Sequence, residues 1–361
     1  MIPAAAHIEL NISALRHNIN RVQKLAPKAK IMAVIKANAY GHGLISVAKY
    51  LAEYVDAFAV ARIDEAISLR EANFQGRVLV LQGFSRPDEL ELIQRYQLEC
   101  VIHSTSQVDF LEAAEHTNSI SVWLKIDTGM NRLGIRPEQF SAVLLRVQQC
   151  HNVAKSVNFM THYANADDLQ DHKTKQQLQL FNETTKNHAG LKSSANSAAI
   201  IAWPATHQDW VRPGLMLYGA SPLLNKTAEQ LDLLPVMSLY SRIIAIKTVK
   251  AGEAVGYGSS WVANKETVLG VISIGYGDGY PRHAKPGTPV LINQQRLPLI
   301  GRVSMDMITV DLTGYPDIKS DDQALLWGAG LPVEEIADCA DTIAYTLLCG
   351  ITRRVKVLVK D

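Results

Sequence analysis

The stretch Val34-Ile35-Lys36-Ala37-Asn38-Ala39-Tyr40-Gly41-His42-Gly43 decides how the rest of the chain is read. An apolar run from Ile31 to Ile35 stops at a lysine, followed by small residues, an aromatic hydroxyl and a Gly-x-Gly turn. The run, with Lys28 and Lys30 ahead of it, predicts a short buried strand. Lys36 then stands at the strand's C-terminal end, where α/β folds place their chemistry. A partly desolvated lysine holds its proton less tightly and can form a Schiff base with a carbonyl. The competing local reading is a lysine that ends its strand by reaching out to water.

Working outward, short apolar runs alternate with amphipathic stretches of helical period as far as about Gly219. Candidate strands are 30–35, 57–61, 77–82, 99–103, 121–126, 156–161, 193–196 and 211–215. Helix candidates between them include 44–53, 65–73, 87–97, 107–114, 137–149 and 172–187. Asp64 and Ser106 are read as start signals, and Pro137 as a first-turn residue. Eight strands alternating with helices over roughly 200 residues predict a (β/α)8 TIM-like barrel rather than an open doubly wound sheet. After Pro235 the texture changes to short β-rich segments punctuated by glycine and proline, with helical pattern only at 333–337 and 341–348. The expected division is therefore a barrel over residues 11–232 and a mostly antiparallel β domain over 233–361. Residues 6–10 have strand composition ahead of a first helix at 12–25, and residues 1–10 are a candidate strand for the β domain.

Composition narrows the class without naming a reaction. The chain has 361 residues, 47% hydrophobic and 20% charged, which describes a soluble, enzyme-sized protein. A net charge of +1 with no basic block argues against nucleic acid as a partner. Four scattered cysteines, without a Cys-x-x-Cys pair, suit a reducing compartment. No apolar run approaches a membrane span, and the N-terminus lacks an export pattern, so the expected location is cytoplasmic.

Three further stretches fall at predicted strand ends. In Lys125-Ile126-Asp127-Thr128-Gly129-Met130-Asn131-Arg132-Leu133-Gly134, glycines frame a loop that presents Arg132, whose planar guanidinium suits a carboxylate. His162 closes the sixth strand, and without a second histidine at metal spacing no metal site is expected. Ser194-Ala195-Asn196-Ser197 and Arg212-Pro213-Gly214 would end the last two strands, where barrels commonly bind phosphate. Ser197 offers a hydroxyl there, and Gly214 permits close backbone approach. The glycine runs near Tyr257 and Tyr276 lack the spacing and context of a dinucleotide loop, and read locally as turns. Neither a Gly-x-Ser-x-Gly elbow nor a phosphate-binding Walker loop is present.

Taken in order, these stretches resemble the bacterial alanine racemase family, pyridoxal-phosphate enzymes of fold type III built on a barrel and a β domain. The motif from Ala33 to Gly43 looks like that family's cofactor-lysine signature, and the likeness spans essentially the whole chain. It implies that Lys36 carries pyridoxal 5'-phosphate and serves as one catalytic base. Tyr257, from the partner subunit of a homodimer, would be the second. Arg212 would face the pyridine nitrogen, with His162 hydrogen-bonded to Arg212. Tyr40, Ser197, Gly214 and Tyr345 match the phosphate cradle, with Asn196 and Leu215 adjacent. Arg132 and Met305 match the substrate-carboxylate contacts, and Tyr276 a gate residue beside Asp306. Lys125 matches a position that can be carbamylated, and Ser304 stands where some relatives have cysteine.

The reaction implied is interconversion of L-alanine and D-alanine, supplying D-alanine for peptidoglycan or serving alanine catabolism. A broad-specificity amino-acid racemase of the same fold would share both bases and differ in pocket width. A basic amino-acid decarboxylase would place an acidic residue, not Arg212, at the pyridine nitrogen. A non-catalytic pyridoxal-phosphate carrier would lack the β domain with Tyr257 and Met305.

Overall fold

The computed structural model describes residues 6–115 and 119–360. Strand β1 (His7–Asn11) leads into a helix at Ile12–Leu25, and a closed barrel of eight strands follows. These are β2 (Lys30–Val34), β3 (Ala57–Val60), β4 (Arg77–Val80), β5 (Glu99–Ile102), β6 (Ile120–Lys125), β7 (Val153–Met160), β8 (Lys192–Ser193) and β9 (Trp210–Val211). Every neighbouring pair is parallel, and β2 closes on β9 through the Lys30–Trp210 and Ile31–Val211 registers. Strands β3 and β5 are buried at every residue, as parallel strands covered on both faces require.

The start of the barrel is filled rather than open. Trp123 and Trp210 meet edge to face, with centroids 6.1 Å apart. Arg77 lies over the Trp210 ring at 4.7 Å and binds Glu99 at 2.5 and 3.1 Å. Trp123 Nε1 donates to the same carboxylate at 2.9 Å. This plug occupies the beginnings of β4, β5 and β9 and leaves chemistry to the opposite, C-terminal ends.

The remaining strands form a predominantly antiparallel sheet and a separate two-stranded one. They are β10 (Met237–Val249), the short pair β11 (Ala254–Val255) and β12 (Trp261–Val262), β13 (Thr267–Ile272), β14 (Pro289–Ile292), β15 (Gln295–Ile300), β16 (Ile308–Asp311), β17 (Gln323–Trp327) and β18 (Lys356–Lys360). The order β13-β16-β15-β14-β17-β10 returns on itself because the far half of β10 pairs with β13. The near half of β10 pairs with β1, and β18 extends that edge parallel to β1. The chain divides into two compact units. One holds the chain through Asn18, Tyr218–Ser221 and the chain from Thr227 on; the other holds Ile19–Leu217 and Pro222–Lys226.

Three local expectations are corrected. The last two barrel strands end earlier than their sequence suggests, so Ser194, Asn196, Arg212 and Gly214 lie in loops: the Ser194 hydroxyl donates to Thr206 O, Asn196 Oδ1 accepts from Ala199 N, the Arg212 guanidinium donates to Thr161 O, and Gly214 N donates to Ser197 Oγ. Ser104, not Ser106, caps the helix Thr105–Ala113, because its hydroxyl accepts from Gln107 N while Gln107 reaches back to Ser104 N at 3.2 Å. Asp64 sits inside the first turn of Ile63–Glu71, and Glu65 supplies the box that opens that helix.

Candidate active site

Immediately after β2 the backbone turns left-handed. Ala37, Asn38, Ala39 and Tyr40 have φ of 52, 54, 52 and 52°. For residues with a Cβ this conformation costs about 1–2 kcal/mol each, so the turn persists only if its surroundings hold it. They do so from several sides. Gly41, at φ 81°, donates to Ala37 O, and Asn38 Oδ1 accepts from Leu44 N at 2.9 Å. Glu65 accepts from Ala37 N at 2.6 Å. His42 Nδ1 lies 3.1 Å from Ala39 O and 2.9 Å from Tyr40 O. Burial lowers His42 to about 4, so the ring stays neutral, and its Nδ1–H donates to those carbonyls. Lys36, half-buried, opens this turn at the barrel's C-terminal end.

The turn brings Tyr40 to the end of β9. A Cβ placed on Gly214 would lie 2.6 Å from Tyr40 Oη, so that close approach needs glycine. Ser197 Oγ accepts from Gly214 N at 2.8 Å and from Met216 N at 3.4 Å. Asn196 caps the helix Ser197–Ala202 by accepting from Ala199 N at 3.0 Å, and Leu215 is buried beside Gly214. Tyr40, Asn196, Ser197, Gly214 and Leu215 therefore gather at the ends of β2, β8 and β9.

Arg212 is buried, and no carboxylate pairs with it among the described residues. Its Nη1 donates to Ser193 Oγ at 2.7 Å, and Nη2 donates to Thr161 O at 2.7 Å and Ser194 O at 3.3 Å. Nη2 also donates to His162 Nδ1 at 3.3 Å, so that nitrogen carries no proton. Burial, with the positive charges of Lys125, Arg212, Arg132 and Lys36 nearby, holds His162 well below its usual range. Geometry and electrostatics agree on a neutral imidazole. Among the described residues the Arg212 Nε–H makes no hydrogen bond, which leaves a buried cation with a donor to spare. Burial lowers Arg212 to about 10, so it stays charged at neutral pH.

Lys125 ends β6 among like charges. Burial comes first, then Arg212 and Arg132, in lowering its amine to about 7, while Asp127 pulls the other way. Asp127 also shapes the Arg132 loop by accepting from Gly129 N and Asn131 N, each at 3.0 Å. Gly134, at φ 133°, closes that loop against Asp127 N. Arg132 itself is exposed at the loop's crest.

The other predicted residues belong to the β-rich unit. Tyr257 stands on a short turn between Gly256 and Gly258, both at positive φ, and is 70% exposed. With Ser304 and Arg302 it lines a cavity of about 470 Å³. Tyr276 N donates to Ser304 O at 3.1 Å and Gly277 N to Met305 O at 2.9 Å, which sets Tyr276 beside Met305. Asp306 pairs with Arg354 at 2.7 Å, and Arg282 lies over the Tyr276 ring. Tyr345 is exposed on the helix Ala344–Cys349.

Several participants escaped the sequence reading. Ser193 and the Thr161 carbonyl hold Arg212, and Gln177 links Thr128 Oγ1 to His162 O at 3.1 and 3.0 Å. Glu65 and His42 hold the Lys36 turn. Only His42 carried a local signal, its place between two turn glycines. Among the described residues, no helix is long and apolar enough to cross a membrane, and no cluster of three His, Cys, Asp or Glu could hold a metal.

Comparison with known proteins adds an independent finding. Residues 10–222 match the family described as "Alanine racemase, N-terminal domain", and residues 236–359 match "Alanine racemase, C-terminal domain". The chain is 48% identical over 351 residues to an alanine racemase of Aeromonas hydrophila subsp. hydrophila, covering 97% of this chain and 98% of the relative. It is 48% identical to one from Vibrio cholerae over 98% of each. Its fold superposes on the biosynthetic alanine racemase from Pseudomonas aeruginosa with a TM-score of 0.97 at 40% identity, covering 99% and 100% of the two chains.

Proposed function

We propose, on the premise that this chain belongs to the alanine racemase family, that it interconverts L-alanine and D-alanine with pyridoxal 5'-phosphate as cofactor. The observation that carries this reading is the buried, uncompensated Arg212 beside a neutral His162, next to the Tyr40–Ser197–Gly214 cradle. That set fits the cofactor on two counts. The spare Nε–H donor suits an aromatic nitrogen, and the glycine at 214 lets the Tyr40 hydroxyl come close to the Ser197–Gly214 pair, gathering hydroxyls of the kind that hold a phosphate. When bound, pyridoxal phosphate supplies the electron sink that makes the α-proton of an amino acid removable.

The roles follow from chemistry. Lys36 holds the cofactor, and its amine takes or returns the α-proton on one face of the substrate. The partner subunit's Tyr257 does so on the other face, since racemisation needs a proton to leave one side and arrive on the opposite one. Arg212 would face the pyridine nitrogen and donate to it without protonating it, which would weaken the sink and limit transamination. His162 keeps the guanidinium oriented by accepting from it. Tyr40, Ser197, Gly214 and Tyr345 hold the phosphate, with Asn196 and Leu215 shaping the loop around it. Arg132 and the partner's Met305 hold the substrate carboxylate, and the partner's Tyr276 stands at the gate. A carbamate on Lys125 would turn a crowded cation into an anion that orients Arg132.

In this reading the active form is a cytoplasmic homodimer. Residues 11–232 carry the cofactor, and 233–361, with the N-terminal strand, supply the partner's contribution. It makes D-alanine for peptidoglycan or serves alanine catabolism. Borohydride reduction with pyridoxal phosphate, followed by peptide mapping, tests the assignment. The reading expects one pyridoxyl group, on Lys36; label at another lysine, or none, contradicts it.

A further inference from the structure

The left-handed turn after Lys36 is tied to the neighbouring strand by a single carboxylate. Glu65 opens the helix Ile63–Glu71 by reaching back to Arg62 N at 3.2 Å, the half of a capping box that the third helical residue supplies. It makes two further bonds. Its Oε2 also accepts from Ala61 N at 2.8 Å, just past β3, and its Oε1 accepts from Ala37 N at 2.6 Å. Glu89 offers a comparison within the same barrel. It reaches Ser85 N at 2.6 Å and Arg86 N at 3.3 Å, both in its own strand-to-helix loop. The two oxygens of Glu65 act on different elements, Oε2 on the helix start and Oε1 on the lysine turn.

We propose that Glu65 is a positioning residue for Lys36, fixing the Ala37 amide so that the left-handed turn stays wound and Lys36 leaves its strand in one direction. The proposal rests on the reading of Lys36 as the cofactor lysine. Ala37 is exposed, and alanine has no intrinsic reason to hold φ at 52°. Once the carboxylate is gone, water satisfies that amide and the turn is free to relax toward ordinary φ. Backbone bonds from Ala39 N to Ile35 O and from Gly41 N to Ala37 O wind the turn, and His42 and Asn38 hold its far end; Glu65 is what fixes the Ala37 amide itself, next to the lysine.

Glu65→Gln separates the two roles. A glutamine has one carbonyl oxygen; facing Ala61 and Arg62, it keeps the helix start and turns its NH2 toward the Ala37 N–H, donor against donor. Glu65→Asp keeps the charge but is too short to span both sides. Glu89→Gln is the control, and melting temperature reports folding. We expect hydrogen exchange at the Ala37 amide to accelerate about tenfold or more in both Glu65 variants. Borohydride fixation of pyridoxal phosphate on Lys36 should slow, and kcat should fall about tenfold with KM changing much less. The Glu89 variant should match the wild type in every readout. Unchanged Ala37 exchange and unchanged Lys36 labelling in both Glu65 variants would overturn the proposal while leaving the assigned function intact. If the wild type itself takes no label on Lys36, the functional reading fails instead. Ala37 exchange then still decides the brace, faster exchange supporting it and unchanged exchange refuting it.

Discussion

Gly214→Ala probes the cradle with a single methyl group. The new Cβ would stand 2.6 Å from Tyr40 Oη, 3.3 Å from Tyr40 Cζ and 3.7 Å from Val34 Cβ. Ordinary contact begins near 3.4 Å, so Tyr40 or Gly214 must yield by about 0.8 Å. Neither yields easily. Gly214 N is bonded to Ser197 Oγ at 2.8 Å, and Pro213 O accepts from Val34 N at 2.8 Å. Tyr40 is buried and fixed by its left-handed backbone. Overpacking of this kind costs about 1–3 kcal/mol, a shift of at most a few degrees in melting temperature for a chain this long. The larger effect should fall on the cofactor. If Tyr40 and the Ser197–Gly214 pair hold its phosphate, losing about 1.4 kcal/mol of that interaction raises Kd tenfold. Equilibrium dialysis against pyridoxal phosphate reads the affinity, and calorimetry reads the stability. Gly314→Ala is the control: it sits at φ 88° with nothing within 4 Å of the added methyl, so it should lose stability and keep cofactor affinity. A Gly214 variant with wild-type Kd would refute the cradle.

Lys125 gives a pH dependence with a defined sign. Its amine titrates near 7 in the folded chain against 10.5 when unperturbed, so between those values the unfolded chain binds more protons. Stability should climb as pH rises through that window, by up to about 1.4 kcal/mol per unit, and below it the folded chain carries the full cost. Urea titrations of the wild type and Lys125→Met between pH 7 and 9, in bicarbonate-free buffer, should show that rise only in the wild type; equal slopes would disprove it. Tyr257→Phe should keep the cofactor but lower racemisation in both directions by about 10²-fold or more, and unchanged rates would remove Tyr257 as a base. Glu99→Ala strands Arg77 and the Trp123 indole at the barrel's start, so it should cost about 2 kcal/mol in a urea titration, with activity per folded molecule unchanged.

The barrel was legible because its strands carry their burial in their own composition. Runs such as Ala57–Val60 are apolar throughout, as a parallel strand covered on both faces requires, and they recur in alternation with helical pattern. Pro137 likewise opens its helix where its missing N–H does no harm. The candidate site was legible as a set of residue types, not as a geometry. Only Asn38 among Ala37-Asn38-Ala39 favours a left-handed turn, and the alanines on either side disfavour it; the partner of the Ala37 amide is Glu65, 28 positions away. Arg212 stood out as a charge among apolar residues, but its acceptors include the Thr161 carbonyl, 51 positions earlier. Strand ends at Ser193 and Val211 were misjudged for a related reason: the chain beyond them leaves the strands for loops held by tertiary hydrogen bonds, such as Ser194 Oγ to Thr206 O and Gly214 N to Ser197 Oγ, which the sequence does not display.

Chiral chromatography of the products formed from a panel of L-amino acids, with and without added pyridoxal phosphate, tests the proposed reaction itself. L-alanine should be converted to D-alanine, D-alanine should be returned to L-alanine, and other substrates should lag far behind. Comparable conversion of lysine, arginine or serine would make the protein a broad-specificity racemase. Release of carbon dioxide, or no D-alanine from an enzyme that carries its cofactor, would contradict the assignment of alanine racemisation to this chain.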